Sequence, residues 1–79
     1  MSICNNYKMR DERLKILAMN IKAERTRKGL SQAQLAEIIN VSERSISQIE
    51  QAKQTPSAFI IYDIAQKLGI TVDELFKNL

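Results

Sequence analysis

Histidine is absent from this sequence, cysteine occurs once, and 79 residues include a single proline and two glycines. Without histidine, and with Cys4 alone near the N-terminus, a His/Cys metal site is all but excluded, as is His-based nucleophilic catalysis. A lone cysteine offers no disulfide framework. No apolar run approaches the roughly 18 residues that a membrane-crossing helix needs. The opening stretch MSICNNYKMRDERL lacks the apolar core of a secretory signal. A cytoplasmic chain is expected, with no membrane partner, no small-molecule ligand and no cofactor. The carboxylates are scattered or paired with bases, and no Gly-rich phosphate loop is present, so nothing points to an enzyme.

What is there is ordinary for a folded domain: 44% hydrophobic and 27% charged residues, which argues against disorder. The length allows one small domain. A domain of this size buries only about 60–65% of its unfolded surface and is marginal alone, a shortfall that oligomerisation commonly makes up. Charge is unevenly placed. Residues 1–28 hold eight basic and three acidic side chains, +5, and residues 29–79 hold four basic and six acidic, −2. A basic N-terminal third suits a polyanion such as DNA, although a solvated helix surface would carry the same charges.

With so few helix breakers, helical periodicity dominates, and there are no strand signals, repeats or low-complexity segments. Leu14, Leu17, Ala18 and Ile21 mark one apolar face of a first helix over Asp11–Lys28, closed by Gly29. Residues 1–10 are an N-terminal arm or an extension of that helix, and residues 11–79 form the domain. Ser31 caps a second helix, Gln32–Ile39, which buries Leu35, Ala36 and Ile39 and ends at Asn40. Val41 bridges to Ser42, the cap of a third helix through Gln51, with Ile46 and Ile49 inward. Thr55-Pro56 opens a fourth helix, whose stripe is Ile61, Ile64, Ala65 and Leu68 and whose end is Gly69. Thr71 and Glu74 form a capping box for a short fifth helix bearing Val72, Leu75 and Phe76. The fold class is all-α, with five helices.

Helices two and three are joined by a tight turn over Ile39–Ser42, and the third carries one apolar stripe beside a dense row of hydrogen-bonding side chains. That pattern suits a helix that packs on one face and reads base edges with the other. Polar surface helices joined by turns are also common in all-α proteins, and geometry alone leaves both readings open. The residues themselves go further. RTRKGLSQAQLAEIINVSERSISQIEQAKQTPS closely resembles the helix-turn-helix of lambda-type repressors and Cro proteins, the Xre-like family. The matching features are Arg25, Gly29-Leu30-Ser31-Gln32, Leu35-Ala36, Val41-Ser42, Ser45-Ile46-Ser47-Gln48-Ile49-Glu50, Pro56, Ile64-Ala65, Leu68-Gly69 and Asp73-Glu74-Leu75. The resemblance covers roughly residues 14–76.

The resemblance implies a lambda-repressor-like domain of bacterial or phage type that binds a palindromic double-stranded DNA operator as a homodimer and regulates transcription. It makes Ser42–Gln51 the recognition helix, with Glu43, Arg44, Ser47 and Gln48 facing the major groove. Arg44 has the donors for guanine and Gln48 the donor–acceptor pair for adenine. Glu43 either accepts from cytosine, holds Arg44 in position, or merely complements the helix dipole. Gln32 matches a phosphate contact at the start of helix two. Ser45, Gln51 and Lys53 occupy other backbone-approaching positions, and Lys22 and Lys28 are looser candidates. Arg25 and Glu50 match a partly buried ion pair joining helix one to the recognition helix. Two departures stand out. Ala52 replaces a frequent glycine after the recognition helix, and Phe59 and Ile60 replace polar residues on helix four. The surplus apolar residues Phe59, Ile60, Val72, Phe76 and Leu79 are expected to form a dimer interface, unless Ile3, Tyr7 or Met9 folds back over the first two, or the contact lies within residues 3–19. A phage repressor or restriction–modification controller is the expected type. The alternative is an antitoxin that also binds its operator.

Overall fold

A computed structural model describes the backbone of Ser2–Leu79 and side chains from Glu12 onward. Five helices follow one another: α1 (Ser2–Arg27), α2 (Gln32–Ile38), α3 (Glu43–Glu50), α4 (Ala58–Leu68) and α5 (Val72–Leu75). The first begins at Ser2 rather than near Asp11, so helix one is longer at its start than its apolar pattern indicates. Whether Ile3, Tyr7 or Met9 covers helix four lies outside the described side chains.

The helix boundaries are set by local side-chain chemistry. Ser31, Ser42, Ser57 and Thr71 each hold extended backbone and accept a hydrogen bond from the backbone N–H three residues on, satisfying one of the four donors a helix start leaves free. Ser31 and Thr71 complete capping boxes with Gln34 and Glu74. Helix four corrects the sequence expectation. Thr55-Pro56 does not open it; Pro56 is buried outside the helix, and Ser57 is the cap, its Oγ accepting from the Ile60 N–H at 3.2 Å.

Four helix ends share one device. Gly29, Asn40, Ala52 and Gly69 all have φ between 60° and 73°. In each case the next residue's N–H reaches back five positions: Leu30 to Arg25, Val41 to Ala36, Lys53 to Gln48, Ile70 to Ala65. This six-to-one bond caps carbonyls a helix end leaves free. Leu30, Val41 and Ile70 also tuck their side chains against the core. Only the end of α3 departs, with alanine in the left-handed position and an exposed lysine after it. Left-handed backbone costs an L-residue roughly 1–2 kcal/mol, and glycine's extra unfolded-state freedom returns about 0.4–1 kcal/mol of that. Ala52→Gly is therefore expected to stabilise the fold by about 0.5–1 kcal/mol, read as a few degrees' rise in a thermal melt. A lower melting temperature would show that the alanine methyl is held by packing.

Every helix contributes to one core: Leu17 and Ile21 from α1, Leu35 and Ala36 from α2, Ile46 and Ile49 from α3, Ile61, Ile64 and Leu68 from α4, and Leu75 from α5. Burying each of the larger ones contributes about 1.5–3 kcal/mol. A four-residue helix has no stability of its own, so α5 depends on its anchors. Leu75 is fully buried, and the Asn20 side-chain amide of α1 donates to the Leu75 and Lys77 carbonyls at 2.9 Å each. One turn on, the Glu24 carboxylate is buried too. Its Oε2 lies 3.5 Å from the Arg27 guanidinium and 4.0 Å from Lys77 Nζ.

Candidate nucleic-acid interface

α2 and α3 meet through the Asn40–Ser42 turn, which is closed by the left-handed Asn40 and by Val41 packed on the core. Successive residues of α3 step by about 100° around its axis. Ile46 and Ile49 are buried, and Glu50 lies beside them. Glu43, Arg44, Ser47, Gln48 and Gln51 fall on the opposite side within an arc of roughly 140° at that step. Glu43, Arg44 and Gln51 are exposed, and Ser47 and Gln48 are half-buried. All four expected base-facing residues thus share one face.

The hydrogen bonds within this face distinguish free side chains from committed ones. Among the described residues, Glu43, Arg44 and Gln48 make no side-chain hydrogen bond or ion pair. No hydrogen bond or ion pair joins Glu43 to Arg44 among the described residues. Gln51 Nε2 donates to Ser47 Oγ at 2.7 Å, bracing one residue of the row against another. The Ser42 hydroxyl donates to Ser45 Oγ at 3.0 Å, leaving the Ser45 proton unused. Lys53 is exposed just beyond the helix, as are Lys22 and Lys28 on the α1 side.

The back of α3 is fixed by a charged cluster. Arg25 grips Glu50 in a two-pronged contact: Nε donates to Oε2 at 2.7 Å and a terminal nitrogen to Oε1 at 3.0 Å. Its remaining nitrogen donates to the Leu30 carbonyl at 2.7 Å. Such a planar fork on a carboxylate is specific as well as strong. Side-chain exposure is 11% for Arg25 and 2% for Glu50, so the expected ion pair is present and deeper than a surface bridge. A third member of the cluster is not legible in the sequence. Gln32 Nε2 donates to Glu50 Oε1 at 3.0 Å, tying the start of α2 to the same carboxylate. An amide nitrogen has two protons, so one remains for an outside acceptor.

The residues expected at a dimer contact divide. Phe59 is 81% exposed, and Val72, Phe76 and Leu79 are about two-fifths exposed. Ile60, expected beside Phe59 on the outer face, is instead half-buried against the core. Tyr62, exposed on α4 one turn after Phe59, is not among the expected residues, although its three-residue spacing from Phe59 places the two rings on one helix face.

A first helix that braces two short ones, a tight turn between them and a polar arc on the second define a helix-turn-helix domain of the lambda repressor/Cro-like kind. The chain belongs to the helix-turn-helix family whose model matches residues 21–75. It is 38% identical over 60 residues, 76% of this chain and 87% of the relative, to the uncharacterised HTH-type transcriptional regulator YazB of Bacillus subtilis. It is 30% identical over 61 residues, 77% of this chain and 79% of the relative, to the uncharacterised HTH-type regulator y4dJ of Sinorhizobium fredii. Among solved structures it is similar to the restriction–modification controller protein C.AhdI from Aeromonas hydrophila. There the identity is 30% and the TM-score 0.77, over 80% of this chain and 96% of the other. It is also similar to the DNA-binding domain of the P22 c2 repressor, at 27% identity and a TM-score of 0.73, over 78% and 82% of the two chains.

Proposed function

We propose that this protein is a cytoplasmic, non-enzymatic transcriptional regulator that binds a palindromic double-stranded operator as a homodimer. The observation that carries this reading is the α3 arc: a row of exposed or half-exposed polar side chains, Arg44 and Gln48 unpaired within it, opposite a buried Ile46–Ile49 stripe. A helix in the major groove needs both faces, one to be held and one to read. Arg44 reads guanine, Gln48 adenine, and Glu43 and Ser47 flank them. Gln32, Ser45, Gln51 and Lys53 take the phosphates. The restriction–modification controller is the favoured type, because that protein is matched over 96% of its own chain by this fold.

Selection of genomic fragments by the purified protein, followed by footprinting, tests the reading. The expected result is a symmetric site whose half-sites are about 34–36 Å apart, one turn of DNA. Fragments retained without any common sequence would overturn it.

Gln32 gives a second check. Its spare N–H serves a phosphate, and phosphates carry no sequence information. Gln32→Ala is expected to weaken binding to cognate and unrelated DNA by similar factors. Because the side chain is neutral, the slope of affinity against salt should hardly change. An effect confined to one base pair would assign Gln32 to base readout instead.

A further inference from the structure

Beside α4 lies an apolar groove of about 330 Å³ whose lining includes Leu17, Pro56, Ala58, Ile61, Tyr62, Val72 and Phe76. Among the described residues no charged side chain lines it, which suits an apolar occupant. The most exposed large apolar side chain among the described residues is Phe59. Phe59 is not itself part of the groove's lining, but on α4 it adjoins two residues that are, Ala58 in sequence and Tyr62 one turn on. An exposed aromatic knob beside an apolar groove on one chain makes a self-complementary pair. A two-fold contact requires that arrangement, because the same patch must meet itself.

We propose that the groove is the socket for Phe59 of a second copy of this chain. Two α4 helices facing each other across a two-fold axis exchange their Phe59 rings, each seated against Leu17, Tyr62, Val72 and Phe76 of the other. The lock rests on the homodimer proposed above and adds Leu17, Pro56 and Tyr62 to it as the acceptor. Ile60 stays out of the contact because the core of its own chain already holds it. Aromatic anchors seated in pockets carry most of an interface's affinity.

Sedimentation of two variants, alone and mixed, tests the lock. Ala58→Trp fills a copy's own socket and keeps its knob; Phe59→Glu removes the knob and keeps the socket. Both positions are exposed in the first turn of α4, and circular dichroism checks that the fold survives. Ala58→Phe and Phe59→Ala carry the same test if either variant does not fold. Each variant alone is expected to dimerise at least about 30-fold more weakly than the wild type, the loss typical of one anchor residue. Mixed together they should form a heterodimer tighter than either homodimer, since one knob still meets one open socket. An Ala58→Trp protein that dimerises like the wild type overturns the socket, as does a mixture no tighter than its components. A wild type that is monomeric at every concentration overturns the homodimer itself, and the lock with it.

Discussion

Arg25→Ala will lower the melting temperature by about 12 °C or more, taking roughly 4 °C per kcal/mol for a domain of this size and a loss of about 3–5 kcal/mol for a buried pair stripped of one partner. The reason lies in what is left behind. Glu50 is 2% exposed, and without the guanidinium its carboxylate keeps only the Gln32 amide as a donor. A domain of 79 residues has a total stability of roughly 4–12 kcal/mol at the usual 0.05–0.15 per residue. A loss of this size removes a large fraction of it. Arg25→Lys should fall between, because an ammonium cannot make the fork that engages both Glu50 oxygens. The informative variant is the double replacement Arg25→Met with Glu50→Leu. Apolar replacement of a whole buried ion pair is often neutral or stabilising, so the double variant should melt well above Arg25→Ala. Thermal melts followed by circular dichroism decide it. A single variant that melts like the wild type would show that the pair is not buried in solution. A double variant no better than the single would show that Arg25 acts through the Leu30 carbonyl rather than through Glu50. DNA binding should fail in Arg25→Ala only to the extent that folding fails.

What is legible in the sequence is local chemistry. Ser31, Ser42 and Thr71 as caps, and Gly29, Asn40 and Gly69 as stops, are properties of one residue and its near neighbours, and the helix ends they set lie where expected. The start of α4 is misleading because two cap signals sit within three residues. Proline tolerates a first turn, but Ser57 has the oxygen that takes the Ile60 N–H, while Pro56 is drawn inward by tertiary packing. Ala52 is visible as a departure, but its left-handed φ of 60° needs coordinates. Asn20 and Glu24 show the other limit. They share the face of Leu17 and Ile21 at three- and four-residue spacing, so polar residues at buried positions are detectable. What Asn20 bonds to, 55 and 57 residues away, is not. The polar arc of α3 is legible in full, since periodicity alone sets it once Ile46 and Ile49 are inward. The Gln32–Glu50 bond is not, because it depends on how two helices cross.

The proposed role of Arg44 gives the largest expected effect on binding. Arg44 sits in the first turn of α3, exposed and without an intramolecular partner among the described residues, and recognition helices contact bases with their N-terminal residues. A guanidinium matches the O6 and N7 acceptors of guanine at a cost of about 1–3 kcal/mol when removed. A symmetric operator engages two copies of Arg44 far enough apart to act additively, so Arg44→Ala should cost roughly 2–6 kcal/mol on the full site. The fold should be unaffected, because exposed substitutions away from structural features change stability by no more than about 0.5 kcal/mol. Arg44→Lys separates base reading from charge. A lysine keeps a phosphate contact but not the planar fork. If Arg44 reads a base, Ala relaxes the preference at one base pair per half-site, Lys keeps only part of it because its ammonium reaches guanine without the planar fork, and binding to unrelated DNA changes little. If it serves a phosphate, Lys restores binding, whereas Ala lowers affinity for every sequence and reduces the salt slope by about 0.9 for each phosphate no longer neutralised. Competition binding against single-base operator variants at two salt concentrations distinguishes them. Unchanged affinity and preference in a folded Arg44→Ala protein would remove Arg44 from the interface and shift base readout to Gln48 and Ser47.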